Sequence, residues 1–297
     1  MKRFVGKDRK RSKIQIQNKE ENYMPAKRTA ATKSAVTTKG PDVPEKTYQG
    51  LRRFNLVMGF LHLIQGILMI VLSNAKTYPI YTNFLRFDLA SRTLLPDPKL
   101  AYDLRFGPAV AAFLLISAVA HLSLATFGYK WYVAHLKKGM NPARFYEYAL
   151  SSSLMIILIG MLVGIYDLGA MIVLFGINAM MNLFGNMMEL HNQTTKKTDW
   201  TSFIYGCLAG IVPWIVIFLY FLGSLSSSDA KPPAFVYAII PTLFVFFNIF
   251  AVNMVLQYKK VGRWKDYLFG ERVYIILSLT AKTALAWMIF AGTLAPV

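Results

Sequence analysis

Cysteine is nearly missing from this chain: Cys207 is the single one in 297 residues, so no intramolecular disulfide can brace the fold. It falls in an apolar run, where a buried free thiol is the ordinary expectation, although two copies could pair across a dimer. Acids are scarce as well, 15 Asp and Glu against 33 Lys and Arg. The four histidines find no cysteine or extra carboxylate spaced to complete a metal site. No internal repeat is visible, which argues against a repeat-built transporter. The first 46 residues hold no apolar stretch, which argues against a cleaved signal peptide.

What the chain has in abundance is apolar sequence, 55% of all residues, too much for an ordinary soluble domain. Seven runs of about 20 residues are long enough to cross a bilayer core as helices. They cover 54–73, 107–127, 143–166, 168–188, 202–225, 235–256 and 273–294. The third and fourth are divided only by a tight turn at Tyr166-Asp167. Pro213 and Pro241 fall inside the fifth and sixth runs and predict kinks that widen the space between helices. The expected fold is all-α, a seven-helix membrane bundle.

An odd number of spans puts the termini on opposite sides. Residues 1–53 carry 15 Lys/Arg. With that segment set aside, the connections on the N-terminal side, counting Arg144, hold 11 and those opposite hold 6. Short-loop positive charge faces the cytoplasm, so the N-terminus is expected inside and Ala295-Pro296-Val297 outside, in a multi-pass protein of the plasma membrane. The sequon Asn192-Gln193-Thr194 then lies on the cytoplasmic side and should stay unmodified.

Residues 1–46 are basic, poor in aromatics and without helical period, and read as a disordered extension ahead of a bundle domain at 47–297. The run Lys7-Asp8-Arg9-Lys10-Arg11-Ser12-Lys13 suits anionic lipid, nucleic acid or a targeting address, and equally a plain solvated tail. For the chain as a whole, nucleic acid is not the expected partner. Residues 74–106 form the longest link between spans, and Tyr78–Leu85 followed by Leu94–Pro98 mixes strand formers with turn residues. A short hairpin is expected there, as a lid or an oligomer contact. Residues 225–233 read as a plain loop.

Against this apolar background a few polar residues stand out. Lys282 lies near the middle of the last run, about 16 Å from either end by helix rise. A cation at that depth costs at least about 2.5–3.5 kcal/mol and is usually functional. An amine in an apolar pocket also loses its proton readily, which suits it to condense with an aldehyde. Glu147, early in the third run, is the acid expected well inside the bundle, with Arg144 and Ser151 on its face. Its partner is either Lys282 or, locally, Arg144. The lysine stem must reach back towards the N-terminal side for the first pairing. His62 and His121 are intramembrane, with Gln65 on the face of His62; such residues either relay a proton or sit neutral in a core. Trp214, Phe244, Phe246, Phe247 and Trp287 accumulate on the later runs, flat walls for an elongated conjugated ligand or simple helix packing.

Seven spans with a solitary lysine in the last resemble a retinal-binding rhodopsin, and specific stretches resemble the heliorhodopsins. These are Tyr146-Glu147-Tyr148 with Ser151-Ser152-Ser153, Phe175-Gly176-Ile177-Asn178-Ala179, and Gly206 to Ile215 around Pro213-Trp214. The strongest is Gly270-Glu271-Arg272-Val273-Tyr274 through Ser278 to Lys282, running on to Ala286-Trp287. The resemblance spans about residues 50–297 and agrees with the inverted orientation read from charge. Pump-type rhodopsins carry an acid four residues before the retinal lysine, where this chain has Ser278, and two acids along the third helix, where it has Glu147 alone.

The resemblance implies all-trans retinal on Lys282 as a protonated Schiff base, with Glu147 as counterion and Ser278 beside the imine. It assigns Tyr148, Ser151, Met155, Asn178, Pro213, Trp214, Phe247 and Trp287 to the chromophore site, and His62, His121 and Gln65 to proton relay. It further implies a homodimeric photoreceptor, not an enzyme, with a slow photocycle and conformational signalling instead of pumping. The exposed lysines 137, 138, 196, 197, 259 and 260 with Arg263 suit an acidic partner or anionic lipid. Two rival outputs are a light-gated or light-driven proton or ion pathway, and light-dependent control of a bound soluble enzyme.

Overall fold

A computed structural model of the chain describes residues 43–226 and 234–294. The basic run at 7–13, Lys231 with most of the 225–233 loop, and the last three residues lie outside the described residues. Among the described residues, seven helices are long and apolar enough to cross a membrane. In chain order the elements are α1 (Glu45–Leu72), strands β1 (Thr77–Asp88) and β2 (Thr93–Arg105), α2 (Phe106–Ala125) and a short α3 (Tyr129–Leu136). There follow α4 (Pro142–Leu162), α5 (Leu168–His191), α6 (Thr201–Ser226), α7 (Ala234–Tyr258) and α8 (Tyr267–Ile289). A 3-10 turn at Gly262–Lys265 precedes α8, and a π-helical turn at Phe290–Leu294 ends it.

Each start has a local cause. Asn141 caps α4 by accepting from the Arg144 amide, with Pro142 preset at the first helical position. Asp167 caps α5 and Asp266 caps α8 in the same way. The tight turn between the third and fourth spans is there, but wider than Tyr166-Asp167: α4 stops at Leu162, and Gly164 takes a positive φ of 97° that a side chain would resist. Two elements differ from expectation. α1 begins nine residues before the first apolar run, at Glu45, because Tyr48 and Leu51 bury against Tyr132 and Leu136 of α3. The helix α3 itself is short and carries Lys130, so it leaves no long apolar run to notice.

The expected hairpin forms and is longer than its apolar cues, pairing Thr77 with Arg105 out to Asp88 with Thr93 and shifting register at Ile80/Tyr81. Its tip is held by Asp88, which accepts from the Ser91 amide at 2.8 Å and hydroxyl at 2.7 Å. The hairpin is anchored to the bundle where the Tyr81 amide donates to the Tyr166 carbonyl at 2.9 Å and Asn83 donates to Asp167 at 2.7 Å. The Asn74 amide donates to the Leu294 carbonyl at 2.9 Å, so the end of α8 lies on this hairpin side too.

Among the spans α4 is the most enclosed, with 67% of its central window buried against 22–44% for the others. It therefore runs through the middle of the bundle. α1 turns only a narrow stripe inward, Leu51, Asn55, Gly59, His62, Gly66 and Met69, at the three- and four-residue spacing of one helix face. Its outer residues, such as Val57, Ile64 and Val71, are exposed, as a lipid-facing wall requires. A Cβ on Gly59 or Gly66 would come within 2.8 or 2.7 Å of Leu122 or Leu115 on α2, so both glycines set how closely α1 and α2 approach. Pro213 and Pro241 both sit inside unbroken helices.

Candidate chromophore site

Lys282 is buried, 3% exposed, and its Nζ lies 2.7 Å from Glu147 Oε1. The same nitrogen donates to Ser278 Oγ, one turn earlier on α8, at 2.9 Å. Side chains lean towards the N-terminus of their helix, so the stem runs back along α8 and closes the depth gap between the two residues. Glu147 Oε1 also accepts from Ser117 of α2 at 2.6 Å. The Lys282 ammonium stands 5.0 Å from the centre of the Tyr148 ring, and the Tyr148 hydroxyl donates to the Tyr274 carbonyl at 3.1 Å. Three helices thus converge on one ion pair.

Beside the pair lies a cavity of about 50 Å³ lined by Tyr148, Ser152, Met155, Ser278 and Lys282 among others. A second cavity of about 380 Å³ adjoins it, sharing Tyr148, Met181, Asn182, Phe247 and Phe250. Trp214 closes the larger space, stacked edge-on against Phe244 and Phe247 at 5.2 and 5.4 Å. Its volume is in the range of small-molecule sites. An apolar, aromatic slot leading away from a buried amine fits an elongated polyene aldehyde.

Of the residues singled out from sequence, the structure brings Lys282, Glu147, Ser278, Tyr148, Met155, Trp214 and Phe247 to these cavities or to the ion pair. Ser151 is buried one turn after Glu147, and Pro213 is buried next to Trp214. Asn178 lies between α4 and α5, donating to Ser152 and Ser153 at 2.9 and 3.0 Å. The Trp287 indole donates to Gln65 of α1 at 3.1 Å. That contact also takes Gln65 out of any pairing with His62. His62 instead stacks on His121, ring centres 5.6 Å apart, and His121 meets Asn55 at 2.7 Å. No cluster of His, Cys, Asp and Glu among the described residues could hold a metal ion.

Of the two partners open to Glu147, the structure takes Lys282, and Arg144 instead bridges Glu189 of α5 and Glu271 of α8. Two expectations are corrected. Glu147 is not the sole acid inside, since Glu189 and Glu271 are 1% and 0% exposed. Both fall at the ends of their apolar runs, where a carboxylate reads as solvated; three charges at one end of three spans were the available signal. Cys207 is exposed on the outer face of α6, at the wall of the larger cavity. Asn55, Ser117 and Asn182 were also missed, because an amide or hydroxyl in an apolar run is unremarkable until its neighbours are known.

The family model for heliorhodopsin matches residues 51–294. The chain belongs to the heliorhodopsin family. No curated protein matches it. As a heliorhodopsin it is a rhodopsin-type light-sensing protein of the membrane, multi-pass, with retinal carried on a lysine as its chromophore. The family is of the photoreceptor type and not a known enzyme family.

Proposed function

We propose that Lys282 is the lysine that carries retinal in the all-trans form, with Glu147 as counterion, and that the protein signals light by changing shape instead of pumping ions. The observation that carries this is the buried Lys282–Glu147 contact at 2.7 Å, beside a small cavity that adjoins an aromatic slot. When bound, retinal supplies visible absorption and a light-driven change of shape. The chain's own residues do the rest. Glu147 and Ser278 fix the charge on the Lys282 nitrogen, and Ser117 holds the carboxylate that faces it. Tyr148, Phe247 and Trp214 exclude water and confine the ligand.

The reading of no pumping is supported by what lies between the pair and the hairpin. Phe113, Leu114, Met155, Ile156, Leu158, Ile159, Leu285 and Ile289 form one fully packed apolar cluster there. None of these eight side chains can carry a proton leaving the pair. His121 and Asn55 stand on the other flank, with His62 stacked on His121, and can receive it. Slow return of that proton sets a long-lived signalling state. The inward N-terminus follows from the loop charge, which also offers acidic partners or anionic lipid a basic surface. The hairpin, with Phe84, Leu85, Phe87 and Leu94 exposed, supplies a contact for a homodimer.

The test is a visible spectrum after adding all-trans retinal. The parent forms a band that hydroxylamine bleaches under light, and Lys282→Ala forms none. A band retained in that variant overturns the assignment. Under voltage clamp the expected steady photocurrent is zero at every potential; a current that reverses with the proton gradient favours the ion-pathway reading.

A further inference from the structure

The short helix α3 packs on the bundle with one face and leaves the other to its surroundings. Tyr132, Val133 and Leu136 are buried in a cluster with Tyr48 and Leu51 of α1. The opposite face carries Lys130, Trp131 and Ala134, all exposed, at the three- and four-residue spacing of one helix stripe. Lys137 and Lys138 follow the helix and are exposed too. Phe127, in the turn that precedes it, is 87% exposed, and Trp131 is 44% exposed.

Contacts with the start of α1 hold the helix in this pose. Arg52 Nε donates to the Ala125 carbonyl at 2.7 Å, and its guanidinium carbon stands 4.8 Å from the centre of the Tyr129 ring. The Tyr129 hydroxyl donates to Glu45 at 3.3 Å, and Lys137 Nζ lies 5.5 Å from the centre of the Tyr48 ring. Residues 43–53 and 125–141 together hold six Lys and Arg, with Glu45 as the one acid. Among the described residues, Lys130, Lys137 and Lys138 form no ion pair. The level of this face follows from α2. Its 20 residues rise about 30 Å, the thickness of a bilayer's hydrocarbon core. Its end at Ala125 is followed within a few residues by Tyr129, so Phe127 and α3 come at the boundary between acyl chains and headgroups.

We propose that the outer face of α3 is a site for anionic lipid. Phe127 and Trp131 enter the layer just below the headgroups, and Lys130, Lys137 and Lys138 meet the lipid phosphates. An acidic soluble protein would meet the lysines but would leave two large aromatic side chains at the bilayer boundary without a partner. The proposal narrows the basic surface named above to one helix and one partner, and it does not depend on the reading of Lys282.

The test takes the full-length protein from vesicles of equal phosphatidylglycerol and phosphatidylcholine into mild detergent and counts the lipid still bound by mass spectrometry. Bound lipid is expected to be enriched in phosphatidylglycerol. Lys130→Gln with Lys137→Gln and Lys138→Gln should lower that enrichment about fivefold or more, since each lysine near an anionic surface contributes about that factor. The same exchange at Lys259 and Lys260, on another basic turn, should lower it less. An enrichment unchanged in the α3 variant, or lowered equally by both, overturns the proposal. Should the triple variant fail to assemble, quenching by depth decides. Phosphatidylcholine brominated near the top of its acyl chains should quench the part of the tryptophan fluorescence that Trp131→Phe removes, and no quenching of that part overturns the proposal. Failure of the Lys282 reading appears separately, as a visible band that survives in Lys282→Ala.

Discussion

The two halves of the bundle, on either side of the Lys282–Glu147 pair, are built from different materials. Towards the hairpin the described residues build one buried cluster rich in Phe, Leu, Ile and Met. Towards the other end stand Arg144 with Glu189 and Glu271, then Asn55, His121 and Asn141. An apolar layer blocks protons and transmits shape through rigid packing, whereas a hydrogen-bonded charge cluster can change its protonation without moving far. Under the function proposed above, this contrast would let one site release a proton while passing none across the membrane.

The sharpest break in this contrast is Arg144→Met. It leaves two buried carboxylates without their cation and should cost about 3–5 kcal/mol, read as a large drop in the temperature at which the visible band is lost. Replacing all three charges together, Arg144→Met with Glu189→Gln and Glu271→Gln, should recover much of that loss. Next comes Gly66→Ala between α1 and α2, whose added Cβ would meet Leu115 Cδ2 at 2.7 Å. Overpacking of that kind costs about 1–3 kcal/mol and should show in the same melting experiment. In the apolar half, Ile159→Val removes one methylene group and should cost about 0.5–1.5 kcal/mol, with the visible band left in place. The smallest effect belongs to the hairpin surface. Lys99, paired with Asp97 at 3.0 Å while largely exposed, should change the melting temperature little as Lys99→Ala, since exposed pairs contribute about 0–1 kcal/mol.

The apolar half was the easier one to read. Its helices follow from uninterrupted hydrophobic runs, and the hairpin from strand formers bounded by turn residues. Lys282 and Glu147 were legible too, because a charge inside such a run is rare enough to mark itself. The charged half was not. Arg144 lies three residues before Glu147, so a local pair stood as the alternative to Lys282, yet the two acids it binds are 45 and 127 positions away. Trp287 shows the same limit on a smaller scale, since its indole meets Gln65 of α1, a partner distant in the chain.

Sequence alone decided how many times the chain can cross a membrane, where the hairpin lies and which amine is out of place, since each depends on composition within one short segment. The tertiary structure alone decided which charges meet. Helix ends tens of residues apart come side by side only when the bundle closes, and the pairing of Arg144, like the reach of Lys282 to Glu147, is set by that closure.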